Sequence, residues 1–305
     1  MGGPALLACD WGTTRLRAWV LSEDGQVLSE QDFDRGVSRL SGGEAEGVFR
    51  THVQPALGAE GLPAILCGMV GSDLGWRPAG YAPCPAGVDE VSKSLLRVAD
   101  HPQPVMIVPG VKGPGLGGAD VMRGEETQVF GWLDLDPEAP RGRRLLCHPG
   151  THAKWILLED GRIDRFVTFM TGELYAVLTQ HSILRAPAAD EDIEAFDEGA
   201  IAAGDGGALG ARLFGARARV VGAGKPAGST PSYLSGLLIG AEIAAAPGLL
   251  GLPGLEDVAL IGDPALCHRY QSVLQARGHH SVQAWDGAAA ARAGLLALYR
   301  RSMAA

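Results

Sequence analysis

The sequence predicts an α/β protein made of two similar domains, each built on a central sheet. Three observations support this fold class: the length suits two hydrophobic cores, one hairpin pattern occurs twice, and strand-like runs alternate with helical segments. At roughly 150 residues per domain, the 305 residues correspond to two domains. The segment 134–144 is rich in proline and glycine, which is typical of a linker. We therefore predict domains over residues 1–140 and 141–305.

Residues 5–31 predict a three-stranded meander. An apolar strand ends at Asp10, an alternating strand follows a turn of small residues, and Asp24-Gly25 is a typical hairpin turn before the third strand. The turn of small residues is formed by Gly12, Thr13 and Thr14.

Residues 144–169 repeat this plan, with Gly150-Thr151 at the first turn and Asp160-Gly161 at the second. The two Gly-Thr pairs are 138 positions apart and the two Asp-Gly pairs 136, so the register holds to within two residues. A repeat of this spacing is too long for a solenoid. It predicts duplication of a whole domain.

The rest of the chain alternates between strands and helices. Strands are predicted over residues 64–68, 104–108, 258–261 and 281–285. Helices are predicted over residues 44–57, 89–99, 172–184, 232–245, 264–275 and 288–300, with another after Val121. The glycine-rich stretch 113–118 does not lead from a strand directly into a helix, so it predicts a mobile loop rather than a dinucleotide-binding turn.

Composition excludes several classes of protein. The formal net charge of −9 and the lack of a cluster of basic residues argue against a nucleic-acid partner. The five cysteines are widely spaced, mostly in apolar runs, and predict reduced core residues. The N-terminus lacks the pattern of a signal peptide, and Glu242 and two prolines interrupt the most apolar stretch, 234–255. We therefore expect a cytoplasmic enzyme-sized globule without a membrane span.

Asp10 and the turn after it form a candidate site for phosphate and hydrated Mg2+. A carboxylate at the end of a buried strand can hold the waters of the metal, while glycine N–H groups and threonine hydroxyls can face phosphate oxygens. The alternative is an ordinary strand-to-turn segment with a solvated aspartate. The second copy adds Lys154, and two such turns would grip a polyphosphate, as phosphoryl transfer requires. Lys154 could instead be a solvated strand residue.

Six motifs occur in order along the chain: DWGTTRLRAW, CGMVGSDLGW, DVMRGEETQ, HPGTHAKW, FMTGEL and SYLSGLLIGAE. Together they resemble the 2-dehydro-3-deoxygalactonokinase family, bacterial sugar-acid kinases of the actin/hexokinase-like (ASKHA) superfamily. The resemblance extends from about residue 5 to residue 300. It implies two ribonuclease H-like domains with an interdomain cleft. It also implies ATP- and Mg2+-dependent phosphorylation of the terminal hydroxyl of 2-dehydro-3-deoxy-D-galactonate to its 6-phosphate, in galactonate catabolism.

The resemblance assigns residues to the phosphate and adenosine segments. In the N-terminal domain it implies a first phosphate segment, whose aspartate holds Mg2+ through water: Asp10, Gly12, Thr13 and Thr14. In the C-terminal domain it implies a second phosphate segment: Gly150, Thr151, His152 and Lys154. Gly262 follows the strand 258–261, where the superfamily holds adenosine, although the usual glycine-rich pattern is reduced here to one glycine before Asp263.

The resemblance places the sugar acid in the N-terminal domain, beside the loop after the strand that ends at Gly68. The candidate substrate residues of this loop are Gly71, Ser72, Trp76 and Tyr81. Trp76 has an alternative role as a cap on the hydrophobic core. Arg77 or Arg123 could pair with the substrate carboxylate, because a guanidinium group matches a carboxylate in a bidentate fork. The sequence leaves both arginines open.

The resemblance also implies a general base in the N-terminal domain, ahead of the second phosphate segment. Asp120 fits this place because it follows the glycine-rich loop and opens the helix predicted there. Its alternative role is an ordinary helix N-cap. Glu125, one turn further on, is the other candidate base, provided that the helix points into the cleft.

Three other functions remain open. The same fold hosts ATP-binding regulators without turnover, and a phosphatase of the superfamily would release phosphate from an anionic substrate without ATP. A kinase for 2-dehydro-3-deoxy-D-gluconate would differ only in the configuration of one substrate hydroxyl. The oligomeric state is open as well, because the alanine- and leucine-rich helices near the C-terminus could pack within the domain or form a homodimer.

Overall fold

The first sheet forms around the apolar strand β1 (Pro4–Trp11) in this computed structural model, which describes residues 3–41, 43–99, 101–187, 190–255 and 257–304. Residues 6–9 of this strand are all buried, as expected for a strand covered on both faces. β2 (Leu16–Ser22) pairs antiparallel with β1, and β3 (Val27–Phe33) pairs antiparallel with β2. The first predicted meander is therefore confirmed.

The helix predicted over residues 44–57 is present, with an irregular middle. α1 (Glu44–Val48) and α2 (Gln54–Leu57) flank a π-helical turn, Phe49–Val53. The elements that follow are β4 (Ala64–Gly68), β5 (Tyr81–Pro83), α3 (Val88–Lys93), β6 (Leu96–Arg97), β7 (Val105–Ile107), β8 (Gly110–Gly113), β9 (Asp120–Met122) and α4 (Glu125–Leu135).

The first sheet has the strand order β3-β2-β1-β4-β7-β6, with β4 parallel to both β1 and β7. The helix predicted over residues 89–99 is wrong in its second half, because α3 ends at Lys93 and β6 pairs with β7 at the sheet edge. A second, small sheet has the order β5-β8-β9. The glycine-rich stretch 113–118, predicted to be a loop, leads from β8 into β9.

The third sheet contains the second meander. The elements are β10 (Arg143–His148), β11 (Ala153–Glu159), β12 (Arg162–Phe169), α5 (Thr171–His181), α6 (Ile193–Ala202), α7 (Leu209–Val221), α8 (Thr230–Leu250), β13 (Val258–Gly262), α9 (Pro264–Ala276), β14 (Val282–Asp286) and α10 (Gly287–Met303). Its strand order is β12-β11-β10-β13-β14. This order matches β3-β2-β1-β4-β7 of the first sheet, as duplication of a domain requires.

The chain divides into two compact units. The first comprises Met1–Arg143, Leu158–Arg165 and Asp286–Ala305, and the second comprises Arg144–Leu157 and Phe166–Trp285. Within the first unit, α10 approaches α4 closely at two glycines. A Cβ on Gly131 would lie 1.7 Å from the Ala290 carbonyl oxygen, and one on Gly294 would lie 1.8 Å from the Thr127 carbonyl oxygen. The boundary between residues 140 and 141 stays a prediction.

The central helix of the second unit is α8. The segment Ala227–Leu250, which contains it, is the one helix of the described residues that is long and apolar enough to cross a membrane. However, 67% of its most apolar window is buried inside the protein, which is typical of a core helix. A Cβ on Gly236 would lie 1.9 Å from the Phe196 carbonyl oxygen, so α6 packs directly on its backbone.

The cysteines are free thiols, as predicted. Four of them are buried, namely Cys9, Cys67, Cys147 and Cys267. Cys84 is half-buried, so its predicted core position is only partly matched.

Candidate functional site

Asp10 lies at the end of β1 in the first unit, close to a second carboxylate. Burial is the main cause of a raised pKa for the Asp10 carboxyl, and the negative charge of Glu125 adds to the increase. The charge of Arg17 acts in the opposite direction and lowers this pKa, as does the Cys67 thiol, which donates a hydrogen bond to Asp10 Oδ1 over 3.8 Å. Gly68 has a φ of +87°, and a Cβ there would lie 3.3 Å from Asp10 Oδ1. The ends of β1 and β4 and the start of α4 therefore meet at this carboxyl group.

The turn after Asp10 is tied to neighbouring backbone. The Gly12 N–H donates to the Arg15 carbonyl oxygen over 2.9 Å, and the Gly36 N–H donates to the Thr14 carbonyl oxygen over 3.1 Å. A Cβ on Gly36 would lie 2.2 Å from the Thr13 carbonyl oxygen, so only glycine allows this close approach. Thr13 and Thr14 are exposed. The two threonines are therefore the most exposed part of the predicted first phosphate segment, while Asp10 and Gly12 are half-buried.

Two glutamates fold back onto the start of α4. Glu125 Oε2 accepts a hydrogen bond from the Arg123 N–H over 3.0 Å, and Glu126 Oε2 accepts one from the Gly124 N–H over 2.7 Å. Glu126 Oε1 also accepts a hydrogen bond from the Thr127 hydroxyl over 3.0 Å. Glu126 is fully buried, and its pKa is raised to about 8, first by burial and then by the charge of Glu125. Both carboxyl groups thus hold the backbone where the helix begins.

Asp120 does not open a helix. It is the first residue of β9, opposite Gly113 of β8, and its Oδ1 accepts a hydrogen bond from the Val121 N–H over 2.8 Å. The predicted position at a helix start, and with it the alternative role as an N-cap, is therefore wrong, because α4 begins only at Glu125. Of the two candidate bases, Glu125 is the one whose charge acts on Asp10.

Three of the predicted substrate residues lie together in the first unit. The Arg123 guanidinium stacks on the Tyr81 ring, with 4.3 Å from Cζ to the ring centroid, and its Nη2 donates to the Gly80 carbonyl oxygen over 3.0 Å. A Cβ on Gly71 would lie 3.0 Å from Arg123 Nη1. This nitrogen is buried and has no hydrogen-bond partner in the described part of the chain. Arg77 is exposed in the same loop.

The side chains of Trp76 and Ser72 make contacts within the first unit. Trp76 is 9% exposed, and its ring centroid lies 5.3 Å from that of Phe49 and 5.9 Å from that of His101. The packing of Trp76 is that of a core residue, the alternative considered from the sequence. The Ser72 hydroxyl donates to the Met69 carbonyl oxygen over 2.7 Å.

The second Gly-Thr turn borders a pocket of about 340 Å³ in the second unit. The pocket is lined by Pro149, Gly150, Thr151, Thr171, Gly172, Tyr175, Ser235, Leu238, Ile239, Asp263, Leu266, Arg269 and Tyr270. It brings the predicted second phosphate segment together with the segment that follows β13.

Two helices begin at this pocket. A Cβ on Gly172, in the first turn of α5, would lie 2.6 Å from the Gly150 carbonyl oxygen, so the turn rests directly on the helix start. The start of α9 is capped by Asp263, whose Oδ1 accepts a hydrogen bond from the Leu266 N–H over 3.0 Å. Helix N-termini carry partial positive charge and N–H groups without intrahelical partners. The start of α5 therefore gives the pocket a side that suits an anion such as phosphate, whereas the Asp263 carboxylate already occupies the start of α9.

The remaining predicted nucleotide residues surround this turn. His152 is exposed and pairs with Glu173 in the first turn of α5. Lys154 is 4% exposed, and its Nζ donates to the His152 carbonyl oxygen over 3.1 Å, so the alternative of a solvated strand residue is wrong. Gly262 has a φ of +153°, and a Cβ there would lie 3.5 Å from the Pro149 carbonyl oxygen.

Glu242 of α8 lies behind the pocket wall. Its Oε1 accepts a hydrogen bond from Trp155 Nε1–H over 2.7 Å, and its Oε2 accepts one from the Tyr270 hydroxyl over 2.8 Å and another from the Thr171 hydroxyl. Burial raises the pKa of Glu242 to about 7, and the three donors limit the increase. Thr171 and Tyr270 themselves line the pocket.

Sequence reasoning missed four residues of these sites: Cys67, Gly68, Glu126 and Glu242. All four lie inside or at the end of the motifs CGMVGSDLGW, DVMRGEETQ and SYLSGLLIGAE. A charged residue within an otherwise apolar run was the available signal for Glu242, since such a residue is rarely buried without partners.

The described residues contain no group of three or more His, Cys, Asp or Glu side chains that could coordinate a metal ion directly. A hydrated Mg2+ ion fits the Asp10 region better. Burial and the nearby Glu125 raise the pKa of Asp10, and a cation held through water would offset both effects.

The chain is similar to known proteins along nearly its whole length. The profile of the family described as 2-keto-3-deoxy-galactonokinase matches residues 10–298. The chain belongs to this family. A probable 2-dehydro-3-deoxygalactonokinase from Rhizobium meliloti is 36% identical over 299 residues, 96% of each chain. The 2-dehydro-3-deoxygalactonokinase of Escherichia coli is 35% identical over 291 residues, 95% of each chain.

Solved structures extend the comparison to the fold. A crystal structure of a candidate 2-dehydro-3-deoxygalactonokinase from Sinorhizobium meliloti is 37% identical, has a TM-score of 0.84, and matches over 97% of this chain and 98% of that one. An activator of 2-hydroxyisocaproyl-CoA dehydratase from Clostridium difficile, with bound ADPNP, has a TM-score of 0.51 at 12% identity and covers 98% of this chain and 96% of its own, so it supports the fold alone. The predicted α/β fold class is therefore confirmed, and this chain shares its fold with both structures.

Proposed function

We propose that this chain transfers a phosphoryl group from ATP to the terminal hydroxyl of 2-dehydro-3-deoxy-D-galactonate and forms the 6-phosphate. Membership of the family supports the reaction. The observation that carries the proposal is the pocket of the second unit, where a Gly-Thr turn and the starts of two helices come together. The chemistry of phosphoryl transfer depends mostly on positioning and charge stabilisation, which such a pocket supplies.

We assign the nucleotide to the second unit. Gly150 and Thr151 would contact phosphate oxygens beside the start of α5, and Gly262 would lie next to the adenosine. His152 and Lys154 would add positive charge or hydrogen bonds at the same turn. Because Lys154 is almost fully buried, its ammonium group is held by the fold rather than by solvent.

Asp10, Thr13 and Thr14 form the phosphate-facing part of the first unit in this proposal. Asp10 would hold a hydrated Mg2+ ion, which when bound neutralises charge on the phosphate groups. The threonine hydroxyls are exposed and can donate to phosphate oxygens.

We propose Glu125 as the general base that removes the proton from the substrate hydroxyl. Its charge acts on Asp10, and it lies at the start of α4 near the ends of β1 and β4. Asp120, the first choice from the sequence, lies instead in the β8-β9 hairpin.

We propose Arg123 rather than Arg77 as the partner of the substrate carboxylate. A buried guanidinium nitrogen without a hydrogen-bond partner is costly, and a carboxylate beside Gly71 and Tyr81 would satisfy it. Arg123 is also held rigidly against Tyr81, whereas Arg77 is exposed. Ser72 and Trp76 then support the loop from within the unit.

The decisive experiment measures ADP formation by the purified protein with MgATP. We expect ADP only when 2-dehydro-3-deoxy-D-galactonate is present, and a lower kcat/KM with the gluconate-derived epimer. ATP binding without turnover would identify a regulator, and phosphate release from the phosphorylated sugar acid without ATP would identify a phosphatase. The predicted cytoplasmic location, the homodimer and the absence of nucleic-acid and membrane partners remain predictions from the sequence.

A further inference from the structure

Glu242 is buried behind the nucleotide pocket and does not reach it. The side chain is 2% exposed, and its two carboxyl oxygens accept hydrogen bonds from three donors. Each donor comes from a different element: Trp155 from β11, Thr171 from α5 and Tyr270 from α9. One carboxyl group on α8 therefore joins four elements of the second unit.

Two of these donors are also walls of the pocket. Thr171 is the first residue of α5, the helix whose start supports the Gly150-Thr151 turn. Tyr270 lies two turns into α9 and lines the same pocket. The spacing between the two helices at the pocket is thus set partly by the shared oxygen of Glu242.

The chemistry of the donors fixes the arrangement. An indole N–H can only donate, so Glu242 Oε1 must accept from Trp155 whatever its protonation state. With both hydroxyls donating to Oε2, their hydrogens point at Glu242, and each hydroxyl oxygen can only accept from any further partner. Loss of the carboxyl group would leave three buried donors without their acceptor, which is costly.

We propose that Glu242 is a positioning residue of the nucleotide site, which holds Thr171 and Tyr270 at the spacing that the ATP phosphates and ribose require. The inference rests on the proposed function, because it takes the pocket to be the nucleotide site. It goes beyond that function by assigning nucleotide affinity to a side chain that does not contact the nucleotide.

The test compares Glu242→Gln with a matched control, Glu198→Gln. Glutamine keeps the size of the side chain and one acceptor oxygen, so the variant is expected to fold. Glu198 also accepts hydrogen bonds from two side chains, Arg219 and Lys225, but it does not line the pocket. Titration calorimetry with MgADP, and KM values for ATP and for the sugar acid, are measured for wild type and both variants.

We expect Glu242→Gln to weaken MgADP binding and raise the KM for ATP by about tenfold, the scale of a disturbed buried hydrogen-bond network. The KM for the sugar acid should stay within about twofold, and Glu198→Gln should leave all three values within about twofold. Tyr270→Phe removes one donor and should weaken MgADP binding as well. The double variant should show less than the sum of the two effects, because both act through one oxygen.

A pH series gives a readout that a merely structural role would not change. The titratable groups that face Glu242 are Cys147 of β10 and Tyr270 of α9, and burial raises the pKa of both. Because the pKa of Glu242 is raised only to about 7, it is the one of these three groups that changes charge near neutral pH. The MgADP affinity of wild type and of Glu198→Gln should fall to the same extent as pH decreases through about 7, and Glu242→Gln should lack this fall.

The results separate this inference from the proposed function. If wild type does not bind MgADP, the proposed nucleotide site is wrong and the role of Glu242 is wrong with it. If wild type binds but Glu242→Gln binds equally well, or loses affinity for ATP and sugar acid alike, only the positioning role is overturned. A lower melting temperature with unchanged MgADP affinity would make Glu242 purely structural.

Discussion

The turns at Gly12-Thr13 and Gly150-Thr151 occupy equivalent places in sheets of matching strand order, but different groups surround them. The first turn follows Asp10 and is tied by hydrogen bonds to Arg15 and Gly36. The second turn rests on the start of α5 and opens into a pocket. The strand-turn-strand pattern thus sets the position of each turn, whereas the groups that a turn offers to a ligand depend on the elements that pack against the turn.

The buried glutamates of the two units differ in the same way. Glu126 accepts hydrogen bonds from Gly124 and Thr127, its neighbours at the start of α4. Glu242 accepts hydrogen bonds from three distant elements. A change at Glu126 should therefore act on one helix start, and a change at Glu242 on the pocket.

The largest expected effect concerns the Asp10 carboxylate, and it tests whether this charge distinguishes the first Gly-Thr turn from the second. Asp10→Asn should lower kcat by about a hundredfold or more, the scale for losing a charged contact to the transferring group. The unfolding free energy should not fall, because burial raises the pKa of this carboxyl and so disfavours its charge. His148 is the positional counterpart in the second copy, and His148→Asn should change kcat by less than about tenfold. Equal losses in both variants would contradict the distinction between the turns.

A second comparison concerns the two candidate bases of the first unit. Glu125→Gln should lower kcat by about a hundredfold with little change in nucleotide affinity, as expected for loss of a general base. Asp120→Asn should stay within about threefold of wild type, because this residue lies in the β8-β9 hairpin. Steady-state kinetics and MgADP titration of both variants measure these effects. A large loss of kcat in Asp120→Asn, with near-normal kcat in Glu125→Gln, would identify Asp120 as the base.

A third comparison concerns the two arginines near the substrate loop. Arg123→Lys should raise the KM for the sugar acid by about tenfold, because lysine cannot form the bidentate fork or stack on Tyr81 in the same way. Arg77→Lys should leave this KM within about twofold. The KM for ATP serves as the internal control in both variants. A larger effect at Arg77 would transfer the carboxylate contact to that residue.

The last expected effect is on stability rather than on kinetics, and it tests the comparison of the buried glutamates. The pKa of Glu126 is raised from 4.5 to about 8, so the fold stabilises the protonated form. That contribution is fully present below pH 4.5 and is lost as pH rises through about 8. Glu126→Gln cannot ionise, so it should gain on the order of a few kcal/mol relative to wild type between about pH 5 and about pH 9. Denaturant unfolding of both proteins at about pH 5 and about pH 9 measures this gain. A stability difference between variant and wild type that does not change with pH would refute the prediction.

Local pattern was enough to predict much of the fold. Strands β1, β4 and β13, the two meanders and the helix α9 after Asp263 all follow from apolar runs, turn residues and capping signals that are close in sequence. The same local motifs identified the family. Helices α6 and α7 were not predicted from the sequence.

Part of the site depended on packing that no local pattern records. The helix predicted at Asp120 begins instead at Glu125, where Gly124 adopts a φ of +109° and Glu126 caps the turn from inside the core. From sequence, Glu242 appeared only as a polar interruption of an apolar run. Its three donors come from residues 28 to 87 positions away, so only the folded chain brings them together. The sequence by itself determined the two meanders, strands β4 and β13, and the family motifs. The tertiary structure decided which carboxyl groups are buried and what they hold, because burial and long-range hydrogen bonds arise only when distant elements pack.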